Sequence, residues 1–514
     1  MSLRKGFVKV SIIVPVVVVA VSFLWQPIIW SLVLFLPLII LGYVDMANRS
    51  HAVVSNFPVL GHMRYLLEAI RPEIQQYFVE TDVEGTPINR IFRSLIYQRA
   101  KKVNDTTPFG TRMNVYSEGY EWMGHSMYAA KDHSKFTGRV LVGGPDCTKP
   151  YLASMLNISA MSYGSLSKNA VLALNKGAKA GNFAHNTGEG SISPFHLEPG
   201  GDLIWQIGTG YFGCRTEDGK FNPELFAKNA TQENVKMIEI KLSQGAKPGH
   251  GGILPAAKNT EEIAKIRGVK PFTDVHSPPT HSSFSSPEGL LEFVKLLREK
   301  SGGKPVGFKL CVGKKEEFED ICKAIISTGI KPDFITIDGG EGGTGAAPVE
   351  FSNSLGMPLR DGLAFVIDTM KGYDIKRDIR VIASGKIFGG FHIARVVALG
   401  ADMVSSARGM MLSLGCIQAL QCNSNTCPVG VATQNKMLMK GLDVDQKAKR
   451  VESYHEGTLN SFKELMFAAG ASEPSELKRK HINRRVNMNQ VMRYDEIFPE
   501  VKTGNLLKKE PEMA

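Results

Sequence analysis

From Val10 to Val44 no Asp, Glu, Lys or Arg interrupts a run of Val, Ile, Leu, Phe and Trp. One membrane crossing takes about 20 apolar residues, so the run is long enough for two. Trp25-Gln26-Pro27 near its middle joins an interfacial aromatic to a helix breaker. The pattern predicts two short membrane helices, roughly 10–25 and 28–44, forming a hairpin. Arg4, Lys5 and Lys9 precede it and Arg49 follows. Positive charge favours the cytoplasmic side, so both ends of the hairpin and the body behind it are expected to face the cytoplasm. A cleaved signal peptide is the alternative, but no Ala-x-Ala-like site follows a single apolar stretch of about 7–15 residues.

Past Met155 short apolar runs alternate with segments of helical length, the pattern of repeated βα units. Met155–Met161, Phe183–Thr187, Met237–Leu242, Phe272–Val275, Pro305–Cys311, Phe334–Asp338, Ile379–Ala383 and Asp402–Ser406 are the expected strands. Eight of them make an α/β fold of the (β/α)8 TIM-barrel type the simplest count. Small and polar residues gather where these strands end: Ser162-Tyr-Gly-Ser, Gly188-Glu-Gly, Gln244 to Gly252, Asp338 to Gly345, Ser384-Gly-Lys and Ala407-Arg-Gly. Glycines there let backbone N–H groups approach a phosphate. They also simply make turns, a reading that covers any one loop more easily than six. Gly208-Thr-Gly210-Tyr-Phe-Gly213 matches the dinucleotide fingerprint, but Cys214 to Phe221 reads as a hairpin turn where that motif needs a helix.

The expected division is a membrane hairpin at 1–49, a cap segment at 50–150, the barrel with its cysteines at 151–435 and a helical extension at 436–514. With 43% hydrophobic and 22% charged residues in 514, the chain is not disordered, collagenous or disulfide-built. Its net charge of +11 suits an anionic partner or surface without choosing one. No aromatic-basic recognition motif argues for nucleic acid, and no such partner is expected.

Of the seven cysteines only Cys416, Cys422 and Cys427 crowd together, followed by Pro428. Zinc usually takes four ligands, often from C-x-x-C pairs, and neither is present. An iron–sulfur cluster lacking one iron would suit three thiolates, and unligated buried cysteines are the plainer alternative.

Ile158-Ser-Ala-Met-Ser-Tyr-Gly-Ser-Leu-Ser167, Asn186-Thr-Gly-Glu-Gly190, Lys241-Leu-Ser-Gln-Gly-Ala-Lys-Pro-Gly249, Gly342-Gly-Thr-Gly-Ala-Ala-Pro348 and Cys416 to Gly430 resemble the central FMN-binding domain of glutamate synthase. The likeness runs over roughly 80–450 and is closer still to short stand-alone members that begin with a membrane hairpin. It implies a barrel holding FMN, with a [3Fe-4S] cluster on Cys416, Cys422 and Cys427. It implies that Glu189 lies near the reacting centre and that Lys241 and Lys247 hold or polarise a 2-oxo acid. Lys309 is expected beside the flavin, where a cation stabilises the reduced anion. Ser162, Asn186, Gln244, Gly342, Gly343, Thr344, Gly385 and Gly409 complete the expected FMN contacts.

Larger glutamate synthases begin with an amidotransferase cysteine and end in a Gly-rich β-helix. Ser2 with the hairpin, and the charged 435–514 segment, stand in those places, so no glutaminase half is expected. His250 and Ile253 replace the Glu and Gln usual in the larger enzymes. The resemblance therefore implies an FMN and iron–sulfur oxidoreductase that takes electrons from a ferredoxin-like protein or reductase and reduces a 2-oxo acid or imine, 2-oxoglutarate with ammonia being the named candidate. The rival reading is a membrane electron-transfer module that passes electrons on and transforms no organic substrate.

Overall fold

The structure is a computed structural model that describes residues 3–103, 106–132 and 134–507. It divides into two compact units, 1–89 and 90–514.

In the first unit α1 (Leu3–Ser22) and α2 (Leu32–Ala47) are joined by a 3-10 turn at Gln26–Ser31. Both arms are long and apolar enough to cross a membrane. The first helix begins earlier than the apolar run, at Leu3, and so takes in Arg4, Lys5 and Lys9. Arg4 donates to the carbonyl of Met46 at 3.0 Å, and Ser11 meets the Tyr43 hydroxyl at 2.9 Å. Gly42 lets the arms close: a Cβ there would lie 2.0 Å from the Phe7 ring. Two further helices, α3 (Ala52–Asn56) and α4 (Gly61–Ile74), follow.

The second unit is built on a closed barrel of eight parallel strands. These are β1 (Leu156–Ile158), β2 (His185–Asn186), β3 (Leu203–Ile207), β4 (Val235–Lys241), β5 (Val306–Leu310), β6 (Phe334–Asp338), β7 (Arg380–Ser384) and β8 (Met403–Ser406). The count agrees with the sequence, but one member differs. Phe272–Val275 is not a barrel strand: Val275 and His276 pair with Ile253 and Leu254 in a small antiparallel ladder on a long excursion after β4. The missing place is taken by Leu203–Ile207, every residue of which is buried.

Residues two apart on a strand share a face, which sorts the barrel interior into layers. Ile204, Met237, Phe334, Ile382 and Met403 form an apolar floor. Val142 and Ala153 join it from a hairpin (Arg139–Val142 with Tyr151–Ser154), so the N-terminal end of the barrel is closed. Two residues further along, Gln206 and Glu239 are register partners, as are Lys309 and Lys241 two residues beyond Glu239. The interior thus changes from apolar to charged toward the strand C-termini. Helices pack outside, several started by a side-chain cap on the first turn, as at Ser167, Asn222 and Ser286.

The C-terminal extension, expected to be helical, contains the long helix Val444–Ala468 and then an antiparallel hairpin, Ile482–Asn487 with Gln490–Arg493. That hairpin adds Glu121–Met123 as a third strand. Its anchor is the buried carboxylate of Glu121, which pairs with Arg360, Arg395 and Arg484 and accepts from the Tyr494 hydroxyl.

Candidate active site

All six small-residue loops emerge at the C-terminal ends of barrel strands, after β1, β2, β4, β6, β7 and β8. They assemble two adjoining groups of side chains.

The first group centres on Glu189. Its carboxylate is 3.0 Å from the Lys241 ammonium, at the end of β4. Burial alone would push the Glu189 carboxyl up, but Lys241, Arg267 and Lys247 outweigh it and hold the group below the usual carboxylate range. Lys247 is buried and donates to the carbonyl of Ala346 at 2.8 Å. Burial, and then the charge of Lys241, bring its ammonium down to about 8. Arg267, also buried, donates to the Ser162 hydroxyl at 3.3 Å and the Tyr163 carbonyl at 3.0 Å and lies over the Phe212 ring. His281 donates from Nε2 to the Lys241 carbonyl at 2.9 Å, and burial depresses it to about 4, so the ring is neutral at pH 7.

Glu189 is positioned from beneath. Asn186 accepts from the Gly188 amide at 3.0 Å and donates to Glu239 at 2.8 Å. Gln206 and Thr336 donate to the same Glu239 carboxylate, so a buried acid inside the barrel fixes the turn that carries Glu189. Gly208 belongs to the false dinucleotide motif, and its real part is steric: a Cβ there would lie 2.4 Å from Oε2 of Glu189.

The second group lines a pocket of about 50 Å³ formed by Gln244, Lys309, Asp338, Gly342, Gly343, Gly385, Lys386 and Arg408, with backbone around them. Lys386 and Arg408 follow β7 and β8, where this fold commonly holds phosphate. Burial lowers both below their usual ranges. Arg408 donates to the Glu341 carbonyl at 2.8 Å and lies against Gly343. The two groups are tied together at Gly245, whose amide donates to Asp338 at 2.9 Å. A Cβ on Gly245 would lie 1.8 Å from the Gly339 oxygen, so only glycine fits.

Of the expected residues, Glu189, Lys241, Lys247, Ser162 and Asn186 thus come together, and Gln244, Lys309, Gly342, Gly343 and Gly385 form the adjoining pocket. Two stand apart. Thr344 is exposed, and Gly409 packs against Tyr454 and Ser406 while its neighbour Arg408 faces the pocket. Arg267 and Glu239 escaped the sequence reading altogether. Lys386 and Arg408 belong to the Ser384-Gly-Lys and Ala407-Arg-Gly loops, in which only the glycines are expected from sequence to touch FMN.

Cys416, Cys422 and Cys427 lie on the loop after the helix Arg408–Leu414. Burial, with the other two thiols, pushes Cys416 up to about 12, and burial with Cys427 raises Cys422. Lys258, on the excursion after β4, is brought down to about 8 by burial against the pull of Cys422 and Cys427. Among the described residues no three His, Cys, Asp or Glu side chains stand close enough to hold a metal ion.

A closed βα barrel with buried cations and a carboxylate at its C-terminal mouth defines a barrel enzyme. The family described as "Conserved region in glutamate synthase" matches residues 132–472. The glutamate synthase large subunit-like protein YerD of Bacillus subtilis is 35% identical over 91% of this chain and 96% of its own. The archaeal glutamate synthase [NADPH] of Methanocaldococcus jannaschii is 35% identical over 64% of this chain, which spans 61% of that enzyme. Among solved structures, a mandelate oxidase variant with benzaldehyde aligns over 81% of this chain and 97% of its own at 14% identity, with a TM-score of 0.44. The chain belongs to the glutamate synthase family and is an oxidoreductase of that type.

Proposed function

We propose that the chain is a membrane-tethered FMN oxidoreductase that reduces a 2-oxo acid or its imine, with 2-oxoglutarate and ammonia giving glutamate as the named candidate. The observation that carries this reading is charge. Lys241, Lys247 and Arg267 surround one carboxylate, Glu189, and all three cations are buried. A surplus of two positive charges in a covered site is costly until an anion neutralises it, and a dicarboxylate brings two negative charges. An electron relay has no use for that surplus.

FMN is supported by family membership and by the pocket beyond β7 and β8. Lys386 and Arg408 would hold its phosphate, with Gln244 and Lys309 toward the ring. At about 50 Å³ the pocket is smaller than the roughly 300–1,000 Å³ of most ligand sites, with Arg408 in its lining held on the Glu341 carbonyl. Turning that side chain toward a phosphate enlarges it. Bound FMN supplies hydride transfer to an electron-poor carbon.

The chain's own residues do the rest. Lys247 donates to the acceptor oxygen as negative charge develops there. Arg267 fixes a carboxylate, and Glu189, kept ionised by its cationic neighbours, accepts from an ammonium or imine N–H. The loops close over the group and keep water out. Cys416, Cys422 and Cys427 would hold the [3Fe-4S] cluster. Thiolate donors suit iron–sulfur and the three lie on one loop, which would have to close further around it. An electron-donor protein, ferredoxin-like or a reductase, is the expected partner. The two apolar arms support a tether, and the basic residues Arg4, Lys5, Lys9 and Arg49 beside them favour both ends in the cytoplasm.

The test is anaerobic purification, a visible spectrum with flavin and iron assays, and then reoxidation of the reduced flavin by oxo acids with ammonium. Oxidation by a 2-oxo dicarboxylate is the expected result. Reoxidation by a partner protein alone would establish the relay, and zinc in place of iron would remove the cluster.

A further inference from the structure

Helix α4 and the turn after it (Gln75–Val79) carry an apolar face that no described residue of their own unit covers. Met63, Leu66, Leu67, Ile70 and Ile74 are each 39–61% exposed. At 100° per residue these five positions fall within an arc of about 100°, the width of an amphipathic stripe. Phe78, 84% exposed, continues the face. Arg64, Glu68 and Arg71 lie on the other side and Glu73 borders the stripe beside Leu66, two charges of each sign. A stripe this wide that meets no core either lies on a membrane or meets another protein.

The start of the helix decides between them. Asp45, near the last turn of α2, is buried and accepts from the Val59 amide at 2.8 Å and from His62 Nε2 at 2.8 Å. Gly61 permits a tight α3–α4 turn, since a Cβ there would lie 2.7 Å from Cα of Val54. One carboxylate thus clamps the beginning of α4 to the residue at which the second apolar arm ends. If that arm crosses a bilayer, the clamp holds α4 at the depth of the headgroups, with its stripe continuous with the lipid-facing arms.

We infer that α4 lies along the membrane surface, with Met63, Leu66, Ile70 and Ile74 sunk among the acyl chains and Asp45 as the latch that sets its depth. The inference rests on the membrane tether proposed above. Because the polar side is balanced in charge, binding depends on buried apolar area and not on anionic lipid.

The test uses the full chain in phosphatidylcholine vesicles, with a photoreactive benzophenone side chain placed in turn at Ile13, Leu66 and Glu68 and the adducts identified by mass spectrometry. Lipid adducts at Ile13 and Leu66, with the Leu66 yield at least about tenfold above that at Glu68, are expected for a surface helix. Lipid at Ile13 with equal yields at Leu66 and Glu68 overturns the surface helix while the tether stands. Lipid at neither Ile13 nor Leu66 overturns the tether and the inference together. Protein adducts at Leu66 would mean that this chain or a second copy covers the stripe, and would also overturn it.

Discussion

At the N-terminal end of the barrel four cations have carboxylate partners set just ahead of a strand. Lys331 meets Asp378 at 2.6 Å, Lys376 meets Asp402 at 2.8 Å, Arg298 meets Asp333 at 3.0 Å and Lys236 meets Asp202 at 3.7 Å. At the C-terminal end Lys241, Lys247 and Arg267 share Glu189 alone. The roomier clefts, of about 500 and 580 Å³, are at the paired end, and the pocket of about 50 Å³ is at the unbalanced one. Space is therefore a poor guide to the chemistry in this barrel. Ion pairs at the closed end staple strands and helices, whereas the cations at the open end outnumber their carboxylate, the surplus on which the proposed anionic substrate rests.

If the closed end is structural, breaking it costs stability and leaves chemistry intact. Asp333 is the strongest case. It is fully buried and accepts from Arg298, from the Gly144 amide at 2.6 Å and from the Val306 amide at 2.8 Å. Asp333→Ala leaves two buried amides unpaired and the buried guanidinium with only the Lys331 carbonyl and the more distant Asp146, and should cost about 3–5 kcal/mol. Denaturant unfolding measures the loss, and flavin per folded chain should stay unchanged. A drop in flavin content at full stability would move the functional site to this end.

Lys247→Ala is the matching change at the open end. Removing one preorganised charge from developing negative charge costs about 10²–10³ in rate. Reoxidation of reduced flavin by the organic acceptor should slow by that factor, while flavin content holds. Stability should even rise slightly, because the deletion relieves a buried like-charge pair with Lys241. A parent-like rate would favour the relay.

The same contrast explains what could be read from the sequence. Buried parallel strands show as short apolar runs before small-residue loops, so the count of eight and the catalytic face were legible. Leu203–Ile207 was missed because Gln206 breaks the run and a misleading glycine motif follows it. Gln206 is there to donate to Glu239 inside the barrel, at 2.7 Å, and no local pattern announces an inward polar residue. Phe272–Val275 misled in the other direction: its end pairs within the excursion after β4, where Asp274 accepts from the Ala256 amide across the small ladder. Glu189, Lys241 and Lys247 came through the family resemblance. Arg267 sits at the end of an ordinary amphipathic helix, Glu261–Arg267, and only the excursion after β4 carries it to Glu189. The hairpin's arms were legible, but their start was not, because Arg4 is accommodated by a bond to Met46 across the hairpin.

A pH profile sharpens the contrast at the open end. With its ammonium brought down to about 8 by burial and Lys241, Lys247 is charged below that pH and neutral above it. The acceptor reaction should be level below about pH 7 and fall by about tenfold per unit well above pH 8. The unfolded chain keeps this proton up to about 10.5, so between the two values this group makes the fold more stable as pH rises. Loss of rate together with gain of stability separates titration of Lys247 from alkaline unfolding. Lys247→Arg should carry the plateau to higher pH at a lower absolute rate.

The smallest effect expected is the most discriminating control. Lys376 lines the cleft of about 500 Å³ at the paired end and donates to Asp402 at 2.8 Å. The same carboxylate also accepts from the Val381 amide at 2.7 Å and has Arg380 at 3.9 Å. Lys376→Ala leaves Asp402 with both partners and with access to solvent, so the loss should be about 1 kcal/mol at most. It should shrink further in high salt, which screens the pair. Flavin content and acceptor rate should match the parent. The result tests whether a cation matters here because it lines a large cavity or because it lacks a countercharge. A rate loss approaching that of Lys247→Ala would mean that cavity size had marked the reacting end after all, and that the surplus around Glu189 has a purely structural origin.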